Sequence, residues 1–261
     1  MRLRFLLLVS LVFSVVAHAD EWKKDFPVTG TPQIRVDAND ASIEVRTWEQ
    51  QGVSARVVTE GWKIGQGQVR IRERQEGNSI EVTTHTPNNF AIFSFRRRWV
   101  HVELTVPRHA DLDLHSGDGS ITVSPVAGTL HLDSSDGHIE ALGVDGALKA
   151  KTSDGHIHVQ GRFDSLDLHT GDGHIDAEVA NGSRMTSSWN VSTSDGRVRL
   201  RLPANFSADM DARTGDGHIS SDFPVTVSGN LNPSILRGKL NGGGQRLEIR
   251  TGDGSIAIEK D

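Results

Sequence analysis

One hexapeptide, Ser/Thr-(Gly/Ser)-Asp-Gly-x-Ile/Val, recurs along this chain and constrains its fold more than any other feature. It occupies residues 116–121, 134–139, 152–157 and 170–175, each copy 18 residues after the last. Three further copies follow at wider spacing, at 193–198, 214–219 and 251–256. A fixed internal period marks stacked supersecondary units, none of which can bury its apolar face alone.

Each unit carries two stretches of alternating polarity. After the turn come Ile139 and Ala141, Ile157 and Val159, Ile175 and Ala177; before it come Leu130 and Leu132, Leu148 and Ala150, Leu166 and Leu168. Alternation with a period of two predicts half-buried strands. Asp-Gly is a strong turn former because both residues tolerate positive φ, and Gly128 and Gly146 mark a second turn in the unit. Two architectures accommodate this pattern: a solenoid with one unit per coil, or an antiparallel sandwich of hairpins. The constant spacing and the apolar columns 121/139/157/175 and 112/130/148/166 favour the first. The expected fold is all-β, a short right-handed β-solenoid over residues 108–261. An irregular β segment, residues 20–107, is expected to cap one end, with strands at 34–36, 42–48, 53–59, 68–73, 79–84 and 98–106. A capped end avoids an exposed, pairing-competent edge.

The first 19 residues read as an export signal: Arg2 and Arg4, an apolar run over 5–16, and Ala17-His18-Ala19 as a small-x-small cleavage site. The run is shorter than the roughly 17–25 residues a membrane-spanning helix needs, so the released chain is expected not to span a membrane. The periplasm or the exterior is the expected location. Disulfides are permitted there, yet the chain has no Cys. Its formal charge of −6 becomes −8 once Arg2 and Arg4 leave with the signal. Nucleic acid is a poor partner for such a chain, since binding it requires a basic footprint.

The chain resembles the bacterial adhesin-like family known as domain of unknown function 4097. The resemblance lies in Phe26-Pro-Val-Thr-Gly30 leading into 34–45, in Trp48, and in Leu104-Thr-Val-Pro107 before the first repeat. It continues through the serial Asp-Gly units to Gly238–Gly244 and the closing segment 247–258. It implies an exported or membrane-associated, solenoid-like β protein, and it supplies no catalytic residues to carry over.

Three constellations carry chemistry. Asp118, Asp136, Asp154 and Asp172 form one column, where a cation such as calcium would offset carboxylate repulsion; the structural alternative is that each carboxylate binds backbone N–H groups of its own turn. His138, His156 and His174 form a second column, a candidate for zinc or another transition metal, with exposed surface histidines as the alternative. The segment holding Phe90, Phe93, Phe95, Arg96, Arg97, Arg98 and Trp99 is a candidate partner surface able to press against an anionic envelope face, and Trp62 is a candidate member of that patch. Residues 181–189 lengthen one repeat and read as a bulging loop, and residues 237–245 read as a glycine-rich turn.

Recurring Asp residues fit structure better than catalysis, and the chain has neither a Gly-x-Ser-x-Gly elbow nor a His-Glu-x-x-His motif. The expected function is a non-enzymatic envelope or surface scaffold contacting an envelope protein or a glycan, with peripheral membrane contact open and no obligate cofactor. A polysaccharide-active solenoid enzyme and a calcium- or transition-metal-binding envelope module are the alternatives.

Overall fold

The computed structural model describes residues 19–65, 67–86, 98–224, 226–227 and 233–261. The signal-like residues 1–18 and the candidates Phe90, Phe93, Phe95, Arg96 and Arg97 lie outside these. The described regular structure is entirely β. The first strands are β1 (Asp20–Phe26), β2 (Gln33–Ala38), β3 (Ser42–Trp48), β4 (Val53–Glu60), β5 (Arg70–Glu76), β6 (Ser79–His85) and β7 (Trp99–Pro107). The repeats supply β8 (Asp111–Ser116), β9 (Ile121–Val123), β10 (Ala127–Ser134), β11 (Ile139–Thr152), β12 (Ile157–Thr170), β13 (Ile175–Val179), β14 (Trp189–Thr193) and β15 (Val198–Leu202). Last come β16 (Ala208–Asp216), β17 (Ile219–Ser221), β18 (Thr226–Val227), β19 (Ile235–Leu240), β20 (Arg246–Asp253) and β21 (Ile256–Lys260).

Every Asp-Gly turn carries the chain from one face of the molecule to the other, for example from β8 to β9 and from β20 to β21. Neighbouring layers pair in parallel and in register. Leu112, Leu130, Leu148 and Leu166 form one column; Ile121, Ile139, Ile157 and Ile175 form another. These side chains are buried, the leucines and isoleucines filling the space between the faces. Burying each is worth roughly 1.5–3 kcal/mol, which is how a chain without disulfides supports so much ordered backbone.

At the opposite corner β11 and β12, 14 residues each, run from one face into the other without a break. The bend in β11 sits at Gly143, with φ 71°, where its register with β12 shifts between Leu142 and Val144. A bulge of this kind lets a strand turn a corner while it stays paired. Both faces therefore belong to one sheet, of 21 strands among the described residues, flattened into a largely closed all-β barrel with a single apolar interior.

This corrects the expectation of a repeating right-handed β-solenoid. The layers are not added in chain order. β2 and β3 lie between the β6/β7 layer and the β8/β9 layer. β20 and β21 lie between β14/β15 and β16/β17. Antiparallel pairs finish both ends: β1 on β4, β4 on β7 and β5 on β6 at one, β16 on β19 and β18 on β19 at the other. The repeat period specifies which residues share a column, but not which layer becomes whose neighbour. The strands β1 to β7 join the same sheet directly, since β2 pairs with β8 through Ile34–Leu112 and Val36–Leu114. At the edge, β5 carries Arg70, Arg72, Glu73, Arg74 and Glu76, charges that oppose pairing with another chain.

Two local expectations also change. Residues 181–188 are a mainly exposed loop, whereas Trp189 is fully buried at the start of β14, edge-on to Phe163 at 6.4 Å and 5.2 Å from Phe206. Residues 237–240 are strand rather than turn, antiparallel to β16; the glycine turn begins at Asn241, which has φ 44°.

Candidate functional site: the Asp-Gly edge and the Trp48 cleft

The first residue of the hexapeptide is a buried hydroxyl: Ser116, Ser134, Thr152, Thr170, Thr193, Thr214 and Thr251. Each ties its own turn to the next layer. Thr152 Oγ1 accepts the Gly155 N–H at 3.2 Å and donates to the Gly137 carbonyl at 3.0 Å. Thr170 repeats this with Gly173 at 3.2 Å and the Gly155 carbonyl at 2.8 Å. Ser134 does so with Gly137 and Gly119. The hydroxyls thus form a ladder through the turn edge and satisfy backbone groups that no strand pairs.

That ladder takes the role expected of the aspartates. Asp118, Asp136, Asp154 and Asp172 are exposed, and their carboxylates have no hydrogen-bond or ion-pair partner among the described residues. The glycine after each Asp is needed for close approach. A Cβ on Gly137 would overlap the Gly119 carbonyl, and one on Gly155 or Gly173 would overlap the carbonyl a layer below. These glycines do not adopt the positive φ of an Asp-Gly hairpin turn. The layers are spaced so closely that only a residue without a Cβ fits.

His138, His156 and His174 are brought together as a stack. Consecutive ring centroids lie 5.0 Å apart, with interplanar angles of 2° and 11°. His138 Nδ1 accepts the His156 N–H at 3.0 Å, His156 Nδ1 accepts the His174 N–H at 3.0 Å, and His174 Nδ1 accepts the Arg197 N–H at 3.2 Å. An accepting Nδ1 places the proton on Nε2 and requires a neutral ring. Burial, followed by the neighbouring His138, His174 and Arg197, lowers the His156 pKa, with Asp176 opposing. Among the described residues no group of three or more His, Cys, Asp or Glu is arranged to hold a metal ion.

Of the aromatic-arginine segment, Arg98 and Trp99 are described. The Arg98 guanidinium lies over the Trp62 ring, 4.5 Å from its centroid, which places Trp62 beside the segment. Trp99 is 39% exposed, and its Nε1 donates to Glu60 Oε2 at 2.5 Å.

A further feature lies at the far end of β3 from the turns. Thr29, Gly30, Thr31, Trp48, Gln50 and Arg108 are among the residues lining a cleft of about 430 Å³. Trp48 is half-buried; it faces Pro107 of β7 in register, and its Nε1 donates to the Gly52 carbonyl at 3.0 Å. The Arg108 guanidinium donates through Nε to Glu49 Oε1 at 2.8 Å. Nothing in the sequence around Trp48 signals a cleft, because its walls come from three separate loops.

The family model for Toastrack DUF4097 matches residues 32–176 and 146–259. No curated protein matches the chain. Among solved structures, it is similar to a candidate adhesin from Bacteroides fragilis at 9% identity, covering 92% of this chain and 97% of that one, with a TM-score of 0.50. It is also similar to a candidate cell adhesion protein from Clostridium sporogenes, at 13% identity, 94% and 100% coverage and a TM-score of 0.42. A third, a candidate lipid-binding protein from Parabacteroides distasonis, has 13% identity, 93% and 98% coverage and a TM-score of 0.46. With the family model spanning nearly the whole described chain, this protein belongs to the Toastrack DUF4097 family.

Proposed function

We propose that the protein is a non-enzymatic, adhesin-like scaffold of the cell envelope or surface, exported by residues 1–19, that holds protein or glycan partners on a rigid frame. The observation that carries this reading is the ordered display of exposed side chains. Aspartates, then histidines, recur at layer spacing along one edge, held by buried hydroxyls and an apolar interior. Rigid presentation lowers the ordering cost of association. The similar Bacteroides fragilis protein is described as a candidate adhesin, which agrees with the reading. Among the described residues no helix is long and apolar enough to cross a membrane.

The test is retention of protein-coated beads on immobilised envelope proteins and glycans, with labelled polysaccharide followed in parallel. Saturable retention without turnover supports the scaffold. Turnover of the polysaccharide, or no retention on any surface, contradicts it.

A further inference from the structure

The Trp48 cleft contains more unused hydrogen-bonding capacity than its structural role demands. The side chains of Thr31, Gln50, Gln51 and His109 line it and make no hydrogen bond to any described residue. Each Gln amide offers two donors and an acceptor with two lone pairs. They surround an indole whose Nε1 is held by the Gly52 carbonyl at 3.0 Å, on a residue that pairs in register with Pro107. An aromatic plane held in this way is apolar on its face and already satisfied at its polar tip.

We propose that this cleft is a carbohydrate-binding site, in which Trp48 packs against the C–H face of one pyranose while Gln50, Gln51, Thr31 and His109 bind its hydroxyls. The proposal rests on the adhesin-like reading and names its ligand class. Three observations select a neutral sugar. The volume, about 430 Å³, lies within the roughly 300–1,000 Å³ of small-ligand sites and suits one or two sugar rings. The free groups are amide, hydroxyl and imidazole, which pair with hydroxyls in either sense. The two charges at the rim, Glu49 and Arg108, already satisfy each other at 2.8 Å, so no net charge selects an anion. An alkyl ligand would leave the polar groups unpaired, a cost that disfavours lipid.

The purified protein is titrated with methyl glycosides of glucose, galactose, mannose and N-acetylglucosamine, and with dextran, laminarin and mannan. Saturation-transfer NMR and calorimetry report binding. The proposal expects saturable binding of at least one of these glycans. Trp48→Ala should weaken it by about tenfold, with partial recovery in Trp48→Phe. Because Trp48 is half-buried, the exposed double variant Gln50→Ala/Gln51→Ala provides the independent check: it should weaken binding while leaving the melting temperature unchanged. Absence of binding by every glycan in the panel overturns the proposal, as does unaltered affinity in both the Trp48→Ala and the double variant. Either result would leave the scaffold reading intact through protein partners, which the bead assay measures separately.

Discussion

Thr152 Oγ1 donates a 3.0 Å hydrogen bond to the carbonyl of Gly137, its counterpart's turn one layer away. The same oxygen accepts the Gly155 N–H of its own turn, so one buried hydroxyl couples a turn to its neighbour. Thr152→Val keeps the shape and deletes both bonds, leaving a buried donor and acceptor unpaired. The expected loss is about 1–3 kcal/mol by urea denaturation, with Thr152→Ser close to wild type.

Gly155 answers to a different constraint. Its Cβ would overlap the Gly137 carbonyl, and neither backbone can yield without disturbing the stack. Gly155→Ala should cost roughly 1–3 kcal/mol. Gly77 answers to backbone conformation instead: it has open space around it but φ +59°, so Gly77→Ala should cost about 1–2 kcal/mol through strain alone. If Gly155→Ala leaves stability unchanged, close approach is not the reason for the glycine.

The histidine stack makes stability depend on pH. The folded-state pKa of His156 lies below its ordinary value, through burial and the facing His138, His174 and Arg197, with Asp176 opposing. The unfolded chain therefore binds more protons as pH falls, and the associated stability is present above the unfolded value, about 6.5, and lost below it. Protonation at Nδ1 would also end its acceptance of the His174 N–H. Unfolding free energy measured from pH 8 to 5 should fall on the acid side. His156→Gln, which has an acceptor and no titration, should flatten that fall.

The aspartate column repeats the same negative charge at equivalent turns of successive layers. Neighbouring layers of the sheet lie roughly 4.8 Å apart, and the carboxylates of Asp136, Asp154 and Asp172, at equivalent turn positions, have no partner among the described residues. Asp154→Asn should raise the melting temperature in low salt. Screening shortens the reach of charge to about 3 Å at 1 M salt, so the gain should vanish there. A gain that persists at high salt would exclude repulsion as its cause.

These residues show what was legible in the sequence. The columns through Leu112–Leu166 and Ile121–Ile175 follow from period and alternation, and the structure pairs them in register. The strands at 42–48 and 53–59 were equally readable, the first from the alternation of Ile43 and Val45 with less buried neighbours, the second from an almost continuously buried, valine-rich run. Residues 40–45, Asp-Ala-Ser-Ile-Glu-Val, also take a turn unit's place in a layer, with the Ala41 carbonyl against Gly119. What could not be read was the order of layers. β20 places Leu247 and Ile249 inward as β14 places Trp189 and Val191, and nothing in either strand states that one seats on the other. The roles within the turn were hidden for a related reason. Asp and Ser/Thr both make turn hydrogen bonds, and only burial shows that Thr152 does so while Asp154 faces solvent. The Trp48 cleft was invisible because Thr31, Gln50 and His109 converge only through the insertion of β2 and β3 beside β6, β7 and β8.

The insertion of the last strands into the middle of the sheet is the central claim, and native-state hydrogen exchange tests it most directly. β20 is flanked on both sides, by β14 and β16, and β21 by β15 and β17. Amides of residues 247–251 and 256–258 should therefore exchange as slowly as those of β12, near the rate set by global unfolding. Rapid exchange there, in the manner of a fraying chain end, would contradict the insertion and with it the closed architecture on which the site depends.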